Sequence, residues 1–213
     1  EFQTMVARIY GMDVANASMY DGASALAEAA IMALHTTKRK KILVSSTVNP
    51  YWLRVVESYL YGFDAVIEMI DEKEGETDYE DLAGKLDSQT AAVILQYPNA
   101  LGVVEELQKA RDRITDARTL FIVMADPVAS VLIKKPGACG ADIVVGEGQQ
   151  LGIPLSFGGP YLGLFTFREK YIRQAPGRII GMTKDKNGKR GFVMTYQTRE
   201  QHIRREKATS NIC

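Results

Sequence analysis

Residues 125–160 read ADPVASVLIKKPGACGADIVVGEGQQLGIPLSFGGP, and this stretch decides the fold. Asp126 ends one apolar run, Phe121-Ile122-Val123-Met124-Ala125, and a second run, Ile143-Val144-Val145, follows it. Runs that are apolar throughout, rather than alternating, indicate strands covered on both faces, as in parallel sheets. After the second run comes a loop rich in Gly and Pro. Open α/β sheets hold their ligands at the carboxyl ends of parallel strands. Asp126 and Gly146-Glu147-Gly148-Gln149-Gln150 are therefore predicted to share such an end.

Outward from this stretch, helical and strand patterns alternate. Residues 1–11, EFQTMVARIYG, carry Phe2, Met5, Val6 and Ile9 at helical spacing. Asp21 or Ser24 can cap an alanine-rich helix. Residues 41–45 form a short buried strand, and Asn49-Pro50 starts a helix through Leu60, since Pro suits the first helical turn. Residues 65–70 are the next strand, Thr77-Asp78-Tyr79-Glu80 opens a helix, and residues 91–96 are again a strand. Residues 105–117 read as a charged surface helix, and residues 120–124 and 143–145 as strands. Strand-helix-strand repetition predicts right-handed crossovers and a three-layer αβα domain with a mostly parallel sheet. Past Pro160, residues 161–167 read as a strand and 168–175 as a helix. Asn187-Gly188 marks a two-residue hairpin turn, and residues 198–207 close the chain as a helix dense in Arg and Glu.

Bulk properties narrow the function classes. Of 213 residues, 46% are hydrophobic, enough for one large core. The 26 basic residues balance the 26 acidic ones, which points away from nucleic-acid and membrane surfaces. No apolar run approaches the roughly 20 residues that span a bilayer. Cys139 and Cys213 lie far apart, so reduced thiols in a cytoplasmic compartment are expected. Both ends look cut, and residues 1–213 are expected to be a single large domain, a piece of a longer protein.

Asp126 can pair with a protonated ring nitrogen, as pyridoxal phosphate (PLP) chemistry requires. It can equally cap a turn, since Asp-Pro is a common turn dipeptide. A PLP enzyme of this layout would carry a lysine just after the second strand, where Gln149 and Gln150 stand. Residues 11–26, GMDVANASMYDGASAL, lead a small polar loop into a helix start, which can hold phosphate or simply be capped. Gly146-Glu147-Gly148 and Gly158-Gly159-Pro160 bracket a glycine-rich surface. His35, His202, Glu206 and Cys139 lack metal-ligand spacing, and no serine lies in GxSxG.

GMDVANASMYDGASALAEA, DIVVGEGQQLGIPLSFGGPYLG, PGRIIG and TREQHIRREKATSNIC together resemble the glycine cleavage system P-protein family, glycine dehydrogenase (decarboxylating). The resemblance is closest to the first, alpha, subunit of members split in two. It implies the large domain of a PLP-dependent transferase of the aspartate aminotransferase type, fold type I, from a subunit about twice this length. It further implies a cytoplasmic, heterotetrameric assembly that decarboxylates glycine and passes the aminomethyl group to the lipoyl arm of H-protein.

In that family the PLP lysine lies in the second subunit, in a segment of the form HKTF…PHGGGGPG. Registering its Pro and Gly-Gly-Pro on Pro154 and Gly158-Gly159-Pro160 sets Gln149 opposite the lysine; counting from Asp142 sets Gln150 there. A glutamine amide neither attacks an aldehyde nor forms an imine, so PLP is expected in the partner subunit and not covalently on this chain. Lys134, Lys135 and Lys170 lie in connecting segments. No residue is expected to be catalytic. Asp126 matches the ring-pairing aspartate, as a relic or in a structural role. Thr209, Ser210 and Asn211 fit a loop donated to a neighbour's phosphate or, equally, a plain helix end. Two other readings stay open: an active PLP lyase or transferase using an unexpected lysine, and a purely structural or regulatory subunit.

Overall fold

The structure, a computed structural model, describes residues 1–195. Thr209, Ser210, Asn211 and the expected helix at residues 198–207 lie outside them. In chain order the elements are α1 (Phe2–Tyr10), β1 (Val14–Ala15), α2 (Gly22–Thr37), β2 (Lys41–Ser45) and α3 (Pro50–Leu60). Next come β3 (Val66–Ile70), a small hairpin of β4 (Glu72–Lys73) and β5 (Glu76–Thr77), α4 (Tyr79–Lys85) and β6 (Thr90–Tyr97). Then follow α5 (Leu107–Arg113), β7 (Leu120–Ala125), α6 (Ala129–Leu132), β8 (Ile143–Glu147) and β9 (Gly163–Phe167). A ribbon of β10 (Ile179–Lys184) and β11 (Arg190–Thr195) ends the described chain.

Seven strands form the main sheet in the order β1-β9-β8-β7-β6-β2-β3. From β3 to β8 all neighbours are parallel, whereas β9 and β1 pair antiparallel at the far edge. Alternate residues point to opposite faces, which splits the core in two. On one face Ile42, Ile94, Ile122, Val145 and Phe165 pack under α2 and α3. On the other, Leu43, Val93, Phe121, Val144 and Leu164 meet α1, α4 and α5. The three-layer, mostly parallel αβα arrangement is therefore observed.

Helix starts follow local chemistry. Asp21 accepts from the Ser24 N–H at 2.8 Å while the Ser24 hydroxyl accepts from the Asp21 N–H, a capping box. Alanines bring α2 close to the sheet, and α3 covers its other side, so α2 is buried on nearly every face. Asn49 caps α3 through the Tyr51 N–H, and Asp78 caps α4.

Five expectations need correction. The helix expected over 105–117 is only Leu107–Arg113, because Glu105 is drawn inward by buried donors. Residues 168–175 form a single 3₁₀ turn (Glu169–Tyr171), since the residue before Pro176 is biased out of the helical region. The ribbon loop is longer than two residues: Asp185 pairs with Lys189, and Gly188 donates back to the Asp185 carbonyl. Met5 points outward on α1, whose inner face is Val6, Ala7 and Tyr10. The loop expected before α2 contains β1, which extends the sheet.

Candidate functional site

At the carboxyl ends of β6, β7 and β8 lies a crevice of about 110 Å³, lined by Trp52, Gln96, Met124, Asp126, Glu147 and Gln150, with Pro98 and Pro127 at its edge. Pockets that enclose a small-molecule ligand start at roughly 300 Å³, so this one is narrow.

Asp126 emerges where β7 ends, its N–H donating to the Tyr97 carbonyl at 3.0 Å. One carboxylate oxygen accepts from the Ala129 N–H at 2.7 Å, and the Ser130 hydroxyl donates to the Asp126 carbonyl, so Asp126 starts α6. Its other oxygen accepts from Gln150 Nε2 at 2.7 Å. Of the two glutamines, Gln150 is the one whose side chain faces the aspartate. Gln149 contributes its backbone N–H to Glu147.

Glu147 has the widest reach in the site. Its Oε2 accepts from the Gly22 N–H, the first of α2, at 2.9 Å. Its Oε1 accepts from the Gln149 N–H at 2.9 Å and the Leu162 N–H at 2.8 Å. Two of the first three α2 donors, Gly22 and Ser24, thus end on the chain's own carboxylates. Trp52 lies against the same helix start so closely that a Cβ on Gly22 would fall inside its ring.

Beneath the crevice, fully buried Tyr10 donates to the Ala125 carbonyl at 2.9 Å. Burial, and then the charges of Asp126 and Glu147, push its phenol well above the ordinary tyrosine range. A Cβ at Gly146 would collide with the Tyr10 oxygen, which explains the glycine there. Sequence reasoning missed Tyr10 and Glu147. Both act on residues more than a hundred positions away.

No lysine lines the crevice among the described residues. Lys135 Nζ donates to the Arg8 carbonyl, Lys170 pairs with Asp142 at 3.1 Å, and Lys134 sits beside buried Cys139, whose thiol burial pushes up. Asp142 lies just ahead of β8, at the opposite end of the strand from the crevice. Among the described residues no group of three His, Cys, Asp or Glu side chains could hold a metal ion, and no helix is long and apolar enough to cross a membrane.

The profile of the glycine cleavage system P-protein matches residues 1–213. The chain belongs to this family. It is 55% identical over its full length to the probable glycine dehydrogenase (decarboxylating) subunit 1 of Desulforamulus reducens, and 54% to that of Desulfitobacterium hafniense. It covers 48% of each, so it spans about half the length of these curated relatives. A crystal structure of glycine decarboxylase (P-protein) in inhibitor-bound form superposes with a TM-score of 0.93 at 43% identity, over all of this chain and 48% of that one. A cysteine desulfurase from Thermococcus onnurineus superposes at 0.62 with 20% identity over 91% of this chain, a likeness of fold alone. The sheet of this chain is thus of the fold type I kind.

Residues of this P-protein chain do not fit covalently held PLP. The crevice is small, its aspartate is engaged by Gln150, and no lysine lines it among the described residues.

Proposed function

We propose that this chain is part of a glycine dehydrogenase (decarboxylating) of the glycine cleavage system, as the half that does not carry the cofactor. In the whole assembly a second, lysine-bearing P-protein subunit holds PLP, and glycine is decarboxylated there. The aminomethyl group then passes to the lipoyl arm of H-protein. The observation that carries this reading is the Gln150–Asp126 hydrogen bond in a crevice that no lysine lines among the described residues.

In this reading Asp126 is structural. It starts α6 and fixes the segment after β8. Thr209, Ser210 and Asn211 complete the partner's phosphate site from outside. The chain as a whole is one large domain of a subunit about twice as long, in a cytoplasmic assembly.

The test is co-expression with the lysine-bearing subunit, followed by release of labelled carbon dioxide from carboxyl-labelled glycine in the presence of H-protein. Activity from the complex but from neither component alone supports the reading. Decarboxylation by this chain alone contradicts it. In the complex, Asn211→Ala or Ser210→Ala should slow turnover. An unchanged rate would reduce residues 209–211 to a scaffold.

A further inference from the structure

We propose that residues 147–150 act as a built-in stand-in for a phosphorylated pyridine ligand. The Glu147 carboxylate takes the anion place at the α2 start, and the Gln150 amide takes the ring N–H place at Asp126. The inference rests on the reading that this chain holds no covalent PLP, and goes beyond it by naming what fills the site.

Geometry supports both halves. A helix N-terminus attracts anions through its free N–H groups and its dipole. At α2 that place is already taken, because Glu147 Oε2 is 2.9 Å from the Gly22 nitrogen. The carboxylate is not free to swing out, since its other oxygen is tied to the Gln149 and Leu162 N–H groups. A phosphate here would compete with two carboxylates, those of Asp21 and Glu147, for the Gly22 and Ser24 N–H groups. Trp52 packs against Gly22 at the same helix start.

At the other end, Asp126 receives from a neutral side-chain N–H what a ring nitrogen would otherwise give it, at 2.7 Å. The two substitutes are three residues apart, Glu147 at the end of β8 and Gln150 in the turn that follows it. One segment thereby satisfies the two anchor points that a pyridine phosphate would bridge. Both carboxylates, Glu147 and Asp126, are hydrogen-bonded within the chain.

The experiment uses the full chain, with Glu147→Ala, Gln150→Ala and the double variant, in phosphate-free buffer. Inorganic phosphate, pyridoxal and PLP are the probes in equilibrium dialysis. The wild-type chain should retain none of them. Glu147→Ala should bind inorganic phosphate and PLP at least ~10-fold more tightly than wild type. Gln150→Ala should gain no phosphate binding. The double variant should bind PLP more tightly than Glu147→Ala does.

A folded Glu147→Ala chain that excludes phosphate as wild type does overturns the inference and leaves the proposed function standing. Wild-type chain that retains PLP overturns both. If the variants fail to fold, hydrogen exchange on the wild-type chain decides. The Gly22 N–H should be protected without any added anion, and rapid exchange there contradicts the proposal.

Discussion

At the residue scale, the site is held by single side chains that close backbone ends. Tyr10 donates to the Ala125 carbonyl from a fully buried position, so Tyr10→Phe removes that hydrogen bond. The expected loss is about 1 kcal/mol in urea unfolding at neutral pH, and a loss below ~0.5 would remove the hydrogen bond from the account. Its phenol is raised in the folded chain, so above roughly pH 10 the unfolded chain binds fewer protons than the folded one. Stability should therefore be fully present below that pH and fall as pH rises past it. Tyr10→Phe should make the fall shallower. An identical alkaline slope in both proteins would contradict the assignment. Asp126 was legible in the sequence as a strand end, and a glutamine was legible where an amine would be needed. The Glu147 contact with Gly22 was not, because its two ends lie 125 positions apart and only the closed sheet joins them.

At the element scale, long apolar runs and caps made most of the fold readable. The strands expected at residues 41–45, 91–96, 120–124 and 143–145, and the starts of α2, α3 and α4, all appear close to their predicted places. Failures cluster where a side chain serves a distant partner. Glu105 looked like the first turn of a surface helix, yet it is 3% exposed. Its carboxylate accepts from Thr47 Oγ1 at 2.9 Å, the Thr77 N–H and hydroxyl, Tyr79 Oη at 2.8 Å and Asn99 Nδ2 at 2.9 Å. Those donors come from the segments after β2 and β6, from β5 and from α4, so one carboxylate ties four parts of the chain together. Glu105→Gln places an NH₂ among donors and should cost about 2 kcal/mol or more, read as a lower urea midpoint at unchanged slope. A midpoint within error of wild type would show that the network has little weight. The Asp21→Ala cap should cost less, about 1 kcal/mol.

At the scale of the whole molecule, the described surface carries several large exposed apolar side chains. Met182, Phe192, Leu132, Leu155 and Phe157 are all exposed, the last completely. Met5, Ile180, Met182 and Phe192 line one surface opening, and a contiguous apolar patch marks a contact with other chains or segments. The purified chain should therefore self-associate and bind a hydrophobic dye while still folded, and light scattering that shows a stable monomer without dye binding would argue otherwise. Fold class and family were legible because the β-strand runs and glycine-rich motifs are local, whereas the occupied crevice is a property of the assembled sheet. The central claim is that this chain holds no cofactor through a lysine. Incubating it with PLP, reducing with borohydride and weighing it by intact mass spectrometry should leave the mass unchanged; a gain of one pyridoxyl group, located on a lysine, would contradict it.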